Sequence, residues 1–389
     1  MTPSIDIVIV GGGPAGLHAG RLLAQAGYQV ELVEEHRAIG QPVHCTGVLA
    51  PEAFADFGLS RDSILNSLKT VRFHAPSGAT VEYSPSTIEA VVIDRVLFDQ
   101  QLAVAARTAG VRVRQARATH IAIERDGVRV TAGDSVVRAA VCMIACGASY
   151  ALQRQLGFGL PRLMLHSAQA EIAAACIDDD KVDVHFGSTV APGGFAWAVP
   201  VRRPVGPAIR IGVMCEGDSA RLFRQMVAVL VSRGTISGHA GVVARQKVLP
   251  LAPIRRTFGD RVLVLGDAAG LVKPTTGGGI YYSLLSAQLG ADTLMKAFQV
   301  RKFGRTELAS YEAAWRQRLG SELRWQLVLR RIAQRLSDTD IDCFFELAQS
   351  DGIMPLVRRT ARFNQHREFI VALLRHPPAR RVLFRAALA

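Results

Sequence analysis

The chain has 389 residues, of which 49% are hydrophobic and 20% charged; this balance excludes a disordered protein and predicts two or three globular domains. Six cysteines occur without a C-x-x-C pair, which excludes a disulfide-rich scaffold and a zinc site of the usual spacing, and we expect no bound metal. The sequence has neither a signal-peptide pattern nor a run of about 18 apolar residues. We therefore predict a cytoplasmic protein without a membrane-spanning helix.

The net charge is +13, and it is concentrated towards the C-terminus. Residues 300–389 contain 17 Lys or Arg and 9 Asp or Glu, a surplus of eight positive charges. No nucleic-acid-binding motif accompanies these charges, so we expect no nucleic-acid partner. Arginine alternates with large apolar residues on apparent helices. This pattern favours two interpretations about equally: peripheral contact with an anionic membrane surface, or an arginine-rich solvated helix face.

The first 35 residues contain the most informative pattern. The apolar, β-branched run Ile5–Val10 predicts a buried parallel strand, and it leads directly into Gly11–Gly16, which matches G-x-G-x-x-G. Apolar residues at helical spacing predict a helix that ends at Gly27, and a second strand, Gln29–Val33, is followed by Glu34. This order of strand, glycine turn, helix, strand and acid is typical of dinucleotide-binding proteins.

Each residue of this motif has a physical task in that interpretation. Gly11 allows the tight turn, Gly13 lets a pyrophosphate approach the backbone, and Gly16 lets the helix pack closely on the strand. Glu34 would accept hydrogen bonds from a ribose diol, which favours FAD or NAD over NADP. The alternative is an ordinary βαβ unit that binds no nucleotide, and the complete pattern makes it the weaker hypothesis.

Strands dominate the middle of the chain. We predict a long functional loop at residues 37–49, because glycine and proline interrupt it. Short strands at Lys69–Phe73 and Thr80–Tyr83 are assigned to a second, antiparallel sheet, and helices are predicted at Val96–Ala109 and Asp218–Ser232. We assign three further strands to a β-meander: Val111–Val113, His120–Glu124 and Val128–Ala132. An apolar strand, Ala139–Ala145, follows the meander. Residues Leu163–Val213 are assigned to an open antiparallel sheet, and Lys247–Leu251 to a return strand.

The pattern of a buried strand followed by glycines returns near residue 265. Arg261–Leu265 predicts the strand, Gly266–Gly270 follows it, Gly277–Gly279 precedes a helix from Ile280 to Phe298, and the chain is helical from Thr306 onwards. We therefore predict an α/β protein: a discontinuous Rossmann-like nucleotide-binding domain, an antiparallel β-sheet substrate domain and a C-terminal helical region. The nucleotide-binding domain is predicted to consist of residues 1–70, 95–165 and 255–300. The substrate domain is predicted to consist of residues 71–94 and 166–254, and the helical region of residues 301–389.

Several of these stretches together resemble FAD-dependent oxidoreductases of the p-hydroxybenzoate hydroxylase type, and within that group the geranylgeranyl reductase family. The similarity covers residues 5 to about 300 and is carried by seven short motifs: Gly11–Gly16, Gly40–Cys45, Asp94–Asp99, Cys146–Ser149, Pro192–Pro200, Gly266–Gly270, and Pro274 with Gly277–Gly279. The resemblance implies bound FAD and reduction of carbon–carbon double bonds in a prenyl chain of a lipid, quinone or pigment precursor, with hydride delivered from N5 of the reduced flavin. The electron donor would be NAD(P)H or a reduced carrier protein that binds transiently.

The resemblance also assigns roles to single residues. Asp267 would bind the ribityl chain, with helix N-capping as the alternative, and Arg95 would lie near the flavin and its phosphates unless it is an ordinary surface side chain. The amides of Gly277–Gly279, at a helix N-terminus, would stabilise negative charge on the reduced flavin. The FAD contacts predicted in this way are Gly11, Gly13, Pro14, Ala15, Gly16, Glu34, Glu35, Cys45, Arg95, Gly266, Asp267, Gly277, Gly278 and Gly279.

Two further groups of residues concern the reaction itself. Cys45 and His44 are the candidates for the catalytic proton donor, since the family places this loop near the flavin and the substrate; the alternative for Cys45 is a small buried hydrophobic residue. Phe195, Trp197 and Val199 would share one face of a strand and form an apolar wall for a prenyl chain. Phe195 and Val199 depart from the family pattern Tyr-x-Trp-x-Phe-Pro.

Other functions are compatible with the same fold. FAD-dependent aromatic monooxygenases hydroxylate through a flavin hydroperoxide, and other FAD oxidoreductases share these motifs. A prenyl-binding escort protein would lack the flavin contacts, but Gly11–Gly16, Glu34 and Asp267 are intact here. Flavin halogenases have a Trp-x-Trp-x-Ile-Pro stretch, and Phe195 stands in the place of its first tryptophan. The reductase is therefore the preferred hypothesis.

Overall fold

The computed structural model describes residues 5–174, 177–236, 242–350 and 352–388; Cys176, one of the six cysteines, lies outside them. The strands are, in chain order, β1 Ile5–Val10, β2 Val30–Glu34, β3 Val48–Leu49, β4 Ile64–Leu68, β5 Thr70–His74, β6 Thr80–Tyr83, β7 Ala90–Ile93, β8 Arg112–Gln115, β9 Ala118–Ile123, β10 Val128–Ala132, β11 Ser135–Ile144, β12 Met164–Ala173, β13 Lys181–His185, β14 Phe195–Arg203, β15 Gly206–Cys215, β16 Arg245–Pro250, β17 Phe258–Gly259 and β18 Val262–Val264. The helices are α1 Pro14–Gln25, α2 Glu52–Asp56, α3 Arg95–Thr108, α4 Ala151–Gln155, α5 Ser219–Ser232, α6 Ile280–Val300, α7 Arg305–Ala333, α8 Asp338–Gln349, α9 Met354–Thr360, α10 Arg367–Arg375 and α11 Pro377–Leu388.

The first sheet is the Rossmann-like core that the sequence predicts. Its main strands lie in the order β17-β18-β11-β1-β2-β8, and the five from β18 to β8 run parallel. The apolar sequence of β1 explains its central place, because residues 7–9 are fully buried. The carboxyl ends of β1, β2 and β11 meet at one edge, where Gly11, Glu34 and Ala145 lie.

One part of the predicted meander is wrong. The strand expected at Val111–Val113 forms as β8 Arg112–Gln115, and it pairs parallel with β2 at the edge of the first sheet. Helix α3, which precedes β8, returns the chain to the parallel sheet and so completes a βαβ crossover. The other two predicted strands of the meander do pair antiparallel, as β9 and β10, and this part of the prediction is confirmed. β11, predicted as a separate apolar strand, pairs antiparallel with β10 and extends the meander.

The second sheet corresponds to the predicted antiparallel sheet and has the order β16-β12-β15-β14-β13-β5-β6. All neighbouring strands are antiparallel except β13 and β5, which pair parallel and bring the hairpin of β5 and β6 to the far edge. Helix α5 covers one face of this sheet with Leu222, Phe223 and Met226. A small third sheet of β3, β7 and β4, which the sequence analysis does not predict, packs on β14 through Leu68 and Val199.

The helical character predicted for the C-terminal region is confirmed, and α7 attaches this region to the first sheet. Tyr311 and Trp315 of α7 are completely buried against that sheet. The Tyr311 hydroxyl donates to the Val264 carbonyl at 2.9 Å, and the Trp315 indole donates to Thr257 Oγ1 at 2.9 Å. In the described parts of the chain, no helix combines the length and the apolar character that crossing a membrane requires.

His18, in α1, makes the stability of this core depend on pH. Its ring is 1% exposed and contacts the edge of Phe57, and burial, together with the charge of Arg21, lowers the His18 pKa to about 3. As the pH falls below about 6.5, the unfolded chain binds a proton that the folded chain does not bind. Between neutral pH and about pH 5, we expect the free energy of unfolding of the wild-type chain to fall by about 2 kcal/mol more than that of His18→Gln. Urea unfolding of both proteins near neutral pH and near pH 5 measures this loss, and an equal pH dependence would contradict it.

Candidate functional site

A cleft of about 510 Å³ lies where the carboxyl ends of the parallel strands meet. Its lining extends from Glu34 and His36, at the end of β2, to Lys247 and Leu249 on β16 of the second sheet. This edge of a doubly wound sheet is where such folds bind nucleotides. Twelve of the predicted site residues line the cleft: Gly11, Gly13, Pro14, Ala15, Glu34, Glu35, His44, Cys45, Arg95, Asp267, Gly277 and Gly279. The other six predicted site residues do not line it: Gly16, Gly266, Gly278, Phe195, Trp197 and Val199.

The glycine turn after β1 is shaped by close backbone contacts. Gly11 has a φ of 111°, and a β-carbon there would lie 2.4 Å from the Ala145 carbonyl oxygen. A β-carbon on Gly16 would lie 2.0 Å from the Gly11 carbonyl oxygen, so only glycine lets α1 pack on the turn. At Gly13 no atom of the described residues lies within 4 Å of such a carbon, because this position opens into the cleft. Gly13 thus leaves the space through which a phosphate would approach.

Glu34 is held at the end of β2 with its carboxylate in the cleft. Oε2 accepts a hydrogen bond from the Gly12 amide at 2.6 Å, and Oε1 accepts one from the His36 amide at 2.9 Å. These two bonds fix the carboxylate and leave lone pairs for a ribose diol. Glu35 instead forms a largely exposed ion pair with Arg117, at 3.4 Å. Arg117 also lines the cleft, and the sequence analysis misses it because no motif marks a single arginine after β8.

Arg95 begins α3, where the Asp94 side chain caps the helix by accepting hydrogen bonds from two amides of the first turn. The guanidinium is buried, and Nη2 donates to both carboxylate oxygens of Asp99, at 3.0 and 2.8 Å. Burial opposes this charge, but Asp99 and the neighbouring Cys45 hold the pKa of Arg95 above its ordinary value. The alternative that Arg95 is an ordinary surface side chain is therefore wrong.

The loop that carries both candidate proton donors is fixed by the second sheet. Arg210, on β15, donates from Nη1 to the Thr46 carbonyl at 2.5 Å, and the Thr46 hydroxyl donates to Gln169 at 2.9 Å. Cys45 is half-buried and lines the cleft, so it is not the fully buried hydrophobic residue of the alternative interpretation. His44 lies beside it in the same wall.

The charge state of His44 follows from its surroundings. Burial, together with the positive charges of Lys247, Arg245 and His36, lowers the pKa of His44. The ring is therefore neutral at neutral pH. Its Nδ1 atom is buried, and the part of the chain that the structure describes offers it no hydrogen-bond partner. His44 can thus exchange a hydrogen bond with a molecule in the cleft but does not bring a positive charge to it.

The segment after β18 places Asp267 in the cleft. Gly266–Ala269 forms a single 3₁₀ turn whose N-cap residue is Leu265, so the alternative role of Asp267 as a helix N-cap is wrong. One Asp267 carboxylate oxygen lies 3.5 Å from the Lys247 ammonium. Lys247 also lines the cleft. The sequence analysis does not identify it, because a lysine on a strand of an open sheet is usually a solvated side chain.

The glycine loop, residues 273–279, ends where α6 begins at Ile280. The first amides of this 21-residue helix have no acceptor inside the helix, and Gly279 and Ser283 line the cleft. The positive end of the helix dipole therefore faces the cleft. Lys273 closes the loop, because its amide donates to the Gly278 carbonyl at 3.0 Å and its carbonyl accepts from the Gly277 amide at 2.9 Å.

Arg330, on α7, fixes the glycine loop from the helical region. Its guanidinium is buried and donates to three main-chain carbonyls: Pro274 at 2.7 Å, Thr275 at 2.5 Å and Gly193 at 2.8 Å. Burial lowers the pKa of Arg330 to about 10, so the group stays charged at neutral pH. One side chain thus joins the helical region, the glycine loop and the segment that leads into β14 of the second sheet. The sequence analysis misses it, because an arginine within a basic tail gives no sign of burial.

The predicted aromatic wall forms on β14. The Phe195 and Trp197 rings lie side by side, with centroids 5.7 Å apart. Both rings pack in an apolar cluster with Met214 and Leu249, and Leu249 also lines the cleft. Val199 follows on the same face but belongs to the adjoining cluster. The wall therefore reaches the cleft through Leu249 and not through its own three residues.

Known proteins match this sequence and its site. The family model for pyridine nucleotide-disulphide oxidoreductases matches residues 5–170. Digeranylgeranylglycerophospholipid reductase 2 of Methanothermobacter thermautotrophicus is 30% identical over 352 residues, which cover 87% of this chain and 90% of that protein. The chain belongs to the geranylgeranyl reductase family. The digeranylgeranylglycerophospholipid reductase of Methanocaldococcus jannaschii is 28% identical over 364 residues, which cover 90% of this chain and 92% of that protein.

Solved structures share the fold of this geranylgeranyl reductase family member. A geranylgeranyl bacteriochlorophyll reductase-like protein from Thermoplasma acidophilum has a TM-score of 0.84 at 21% identity, and the match covers 99% of this chain and 100% of that one. The halogenase PltM in complex with FAD has a TM-score of 0.68 at 18% identity, and the match covers 98% of this chain and 85% of that one. The relatives in sequence make the chain an FAD-dependent reductase, and the hypothesis of a βαβ unit without a nucleotide is wrong.

The cleft residues of this family member fit FAD. Gly13 leaves room for a pyrophosphate, Glu34 is fixed where a ribose would lie, and the N-terminus of α6 faces the cleft. The buried Arg95 Nε and His44 Nδ1 atoms have no partner among the described residues, and both side chains stand in the cleft wall. Buried polar atoms of this kind are normally satisfied, so a polar ligand in the cleft would complete them.

Proposed function

We propose that the chain reduces carbon–carbon double bonds in a prenyl chain, and that its substrate is a geranylgeranyl group on a lipid, quinone or pigment precursor. The observation that carries this proposal is the aromatic wall of Phe195 and Trp197, whose apolar cluster reaches the cleft at Leu249. A long hydrocarbon has no polar group to recognise, so an apolar wall beside the cofactor cleft suits it. The relatives described above are named as reductases of digeranylgeranylglycerophospholipid.

The proposed roles of the residues follow their positions in the cleft. When bound, FAD supplies the hydride from N5. Glu34 would hold its ribose, Asp267 its ribityl chain and Arg95 its phosphates, and the remaining predicted contacts would surround the same molecule. The alkene also needs a proton on its second carbon. We assign that proton to Cys45 or to the neutral His44 ring, which line the same wall of the cleft.

The other parts of the predicted organisation belong to this proposal as well. The chain has one dinucleotide motif of the G-x-G-x-x-G type, so we propose that NAD(P)H or a reduced carrier protein binds transiently as the electron donor. FAD would occupy the domain formed by residues 1–70, 95–165 and 255–300. The prenyl chain would lie against residues 71–94 and 166–254, with the helical region 301–389 beside them.

Anaerobic reduction of the FAD-loaded protein, followed by mixing with a geranylgeranyl lipid, tests the proposed reaction. We expect the flavin absorbance near ~450 nm to return and the lipid to gain two hydrogens for each reduced bond. Trp197→Leu keeps the wall apolar but removes the indole. This variant should be reoxidised by the lipid roughly tenfold more slowly, because the prenyl chain is held less well. Its reoxidation by air, the internal control, should equal that of the wild type.

The outcomes of this experiment separate the candidate reactions. A protein that ignores the lipid, but oxygenates an added phenol in air, would be an aromatic monooxygenase. Reoxidation by the lipid that persists after the double bonds of the lipid have been saturated chemically would refute alkene reduction. Equal rates for the wild type and Trp197→Leu with the lipid would refute the assignment of the wall.

We further propose a cytoplasmic protein whose C-terminal helices contact an anionic membrane surface. These helices and the segment that joins α9 to α10 expose Phe384 and a series of arginines: Arg359, Arg362, Arg367, Arg375, Arg380 and Arg381. Each arginine near an anionic bilayer contributes about 1 kcal/mol. We expect sedimentation with anionic but not with zwitterionic vesicles, and roughly 10-fold or greater loss of binding in the double variant Arg380→Gln/Arg381→Gln. Arg107→Gln/Arg112→Gln, exposed on the nucleotide domain, is the matched control and should bind normally.

A further inference from the structure

Lys273 is a buried cation at the start of the glycine loop, and its side chain is 3% exposed. Its Nζ donates to the Phe363 carbonyl at 2.8 Å and to Asn364 Oδ1 at 2.6 Å, and lies 4.2 Å from the centroid of the Phe363 ring. Both acceptors are neutral. Within the described ranges, no carboxylate forms an ion pair with Lys273. A buried ammonium without a counter-ion is energetically costly, so its presence here needs a reason.

The Lys273 side chain lies directly behind the glycine loop. A β-carbon built on Gly278 would lie 3.7 Å from Lys273 Cδ and 4.0 Å from Cε. The main chain of Lys273 bonds to the same loop at the Gly278 carbonyl and the Gly277 amide. Lys273 does not line the cleft, whereas Gly277 and Gly279 do. The charge therefore stands behind the segment that borders the cleft and not inside the cleft.

The other charged groups around Lys273 are engaged elsewhere. Glu52, on α2, accepts from Asn364 Nδ2 at 2.6 Å, and Glu322, on α7, accepts from backbone amides that begin α10. Burial lowers the pKa of Lys273 to about 7, although both acids act against this change. His366 faces Lys273 from the C-terminal segment, and burial together with Lys273 lowers its pKa to about 4, so its ring is neutral.

We propose that Lys273 is a positioning residue that acts through the glycine loop: its buried ammonium adds to the positive end of α6 and raises the reduction potential of FAD. The inference depends on the proposed placement of the flavin ring against Gly277–Gly279. The reduced ring carries negative charge at N1 and the C2 carbonyl, so a cation behind this loop stabilises the reduced form more than the oxidised form. The reduced cofactor thus provides the counter-charge that the protein itself does not supply to Lys273.

Redox titration of the FAD-loaded protein at about pH 6 tests the proposal. In Lys273→Met we expect the ratio of reduced to oxidised flavin, measured at a fixed solution potential, to fall about tenfold. For a two-electron couple this corresponds to a reduction potential about 30 mV lower. Lys273→Arg keeps the charge and should restore the wild-type ratio. Glu52→Gln still accepts from Asn364 but removes a negative charge that helps to keep Lys273 protonated. It is therefore compared with the wild type at about pH 5, where Lys273 stays charged in both proteins, and its potential should rise. The reduction potential of the wild type, plotted against pH, should also change its slope near pH 7. The same plot for Lys273→Met should lack this change.

A potential of Lys273→Met equal to that of the wild type would overturn the proposal, as would shifts of the same sign in Lys273→Met and Glu52→Gln. A loosened loop without a charge effect cannot give shifts of opposite sign. If Lys273→Met does not fold, Glu52→Gln and the pH dependence of the wild type still decide the question. The titration contains no prenyl substrate. A failed lipid reaction therefore refutes the proposed function without affecting this result.

Discussion

Gly13→Ala is expected to weaken FAD binding about 100-fold, roughly 2.7 kcal/mol, while costing the apoprotein less than about 1 kcal/mol. The backbone at Gly13 has φ −85° and ψ −177°, which alanine adopts without strain. In the part of the chain that the structure describes, no atom lies within 4 Å of the added β-carbon. The methyl group instead occupies the space through which the pyrophosphate approaches the backbone. The fold therefore tolerates a change that the cofactor does not.

Titration of the apoprotein with FAD, together with urea unfolding, measures both parts of this prediction. Gly320→Ala in α7 is the matched control, since its β-carbon makes only an ordinary contact with Arg316 at 3.7 Å. We expect it to gain about 0.5–1 kcal/mol of stability and to bind FAD normally. An unchanged FAD affinity in Gly13→Ala would show that the pyrophosphate does not lie against this turn.

Arg330→Met should destabilise the folded chain by about 3–5 kcal/mol and weaken FAD binding as well. The methionine has a similar length but no donors, so the carbonyls of Gly193, Pro274 and Thr275 lose the guanidinium that now satisfies them. An unsatisfied buried acceptor costs about 1–3 kcal/mol, and relief from burying the arginine charge offsets part of the sum. The freed glycine loop would then hold the flavin less firmly.

Arg331→Met, at the next position of α7, is the control for Arg330→Met because its side chain is exposed. It should change the free energy of unfolding by less than about 0.5 kcal/mol. Urea unfolding of the three apoproteins gives the comparison directly. A loss below about 1 kcal/mol in Arg330→Met would mean that water replaces the guanidinium at all three carbonyls, and the clamp would then have no energetic importance.

The elements that the sequence predicts well are those whose causes lie close together in the chain. The turn from β1 to α1 needs glycine at position 16, because a β-carbon there would clash with the carbonyl oxygen of Gly11, five residues earlier, and the pattern is visible within six residues. The helix that begins at Ile280 is equally visible, because Gly277–Gly279 precedes a long run at helical spacing. Glu34 follows from the same rule, since it stands where the second strand ends.

The parts that could not be predicted depend on contacts between distant segments. Arg330 reaches Gly193 across 137 positions of sequence, and Lys273 reaches Asn364 across 91. Nothing near either residue distinguishes it from a solvated basic side chain. The parallel pairing of β8 was missed for a related reason: a short strand has the same alternation whether its neighbour is β2 or β9.

The order of strands in the first sheet has a consequence for how the chain is made. β18 pairs with β11 and completes the parallel core, yet it lies about 250 residues after β1. Its partner β11 ends about 120 residues before β18 begins, so at ~5–20 residues per second on the ribosome the edge of β11 waits roughly 6–24 s for β18. During that interval the edge of β11 is open to pairing with other chains. This edge of a nascent chain therefore stays unpaired until about two thirds of the sequence have been translated.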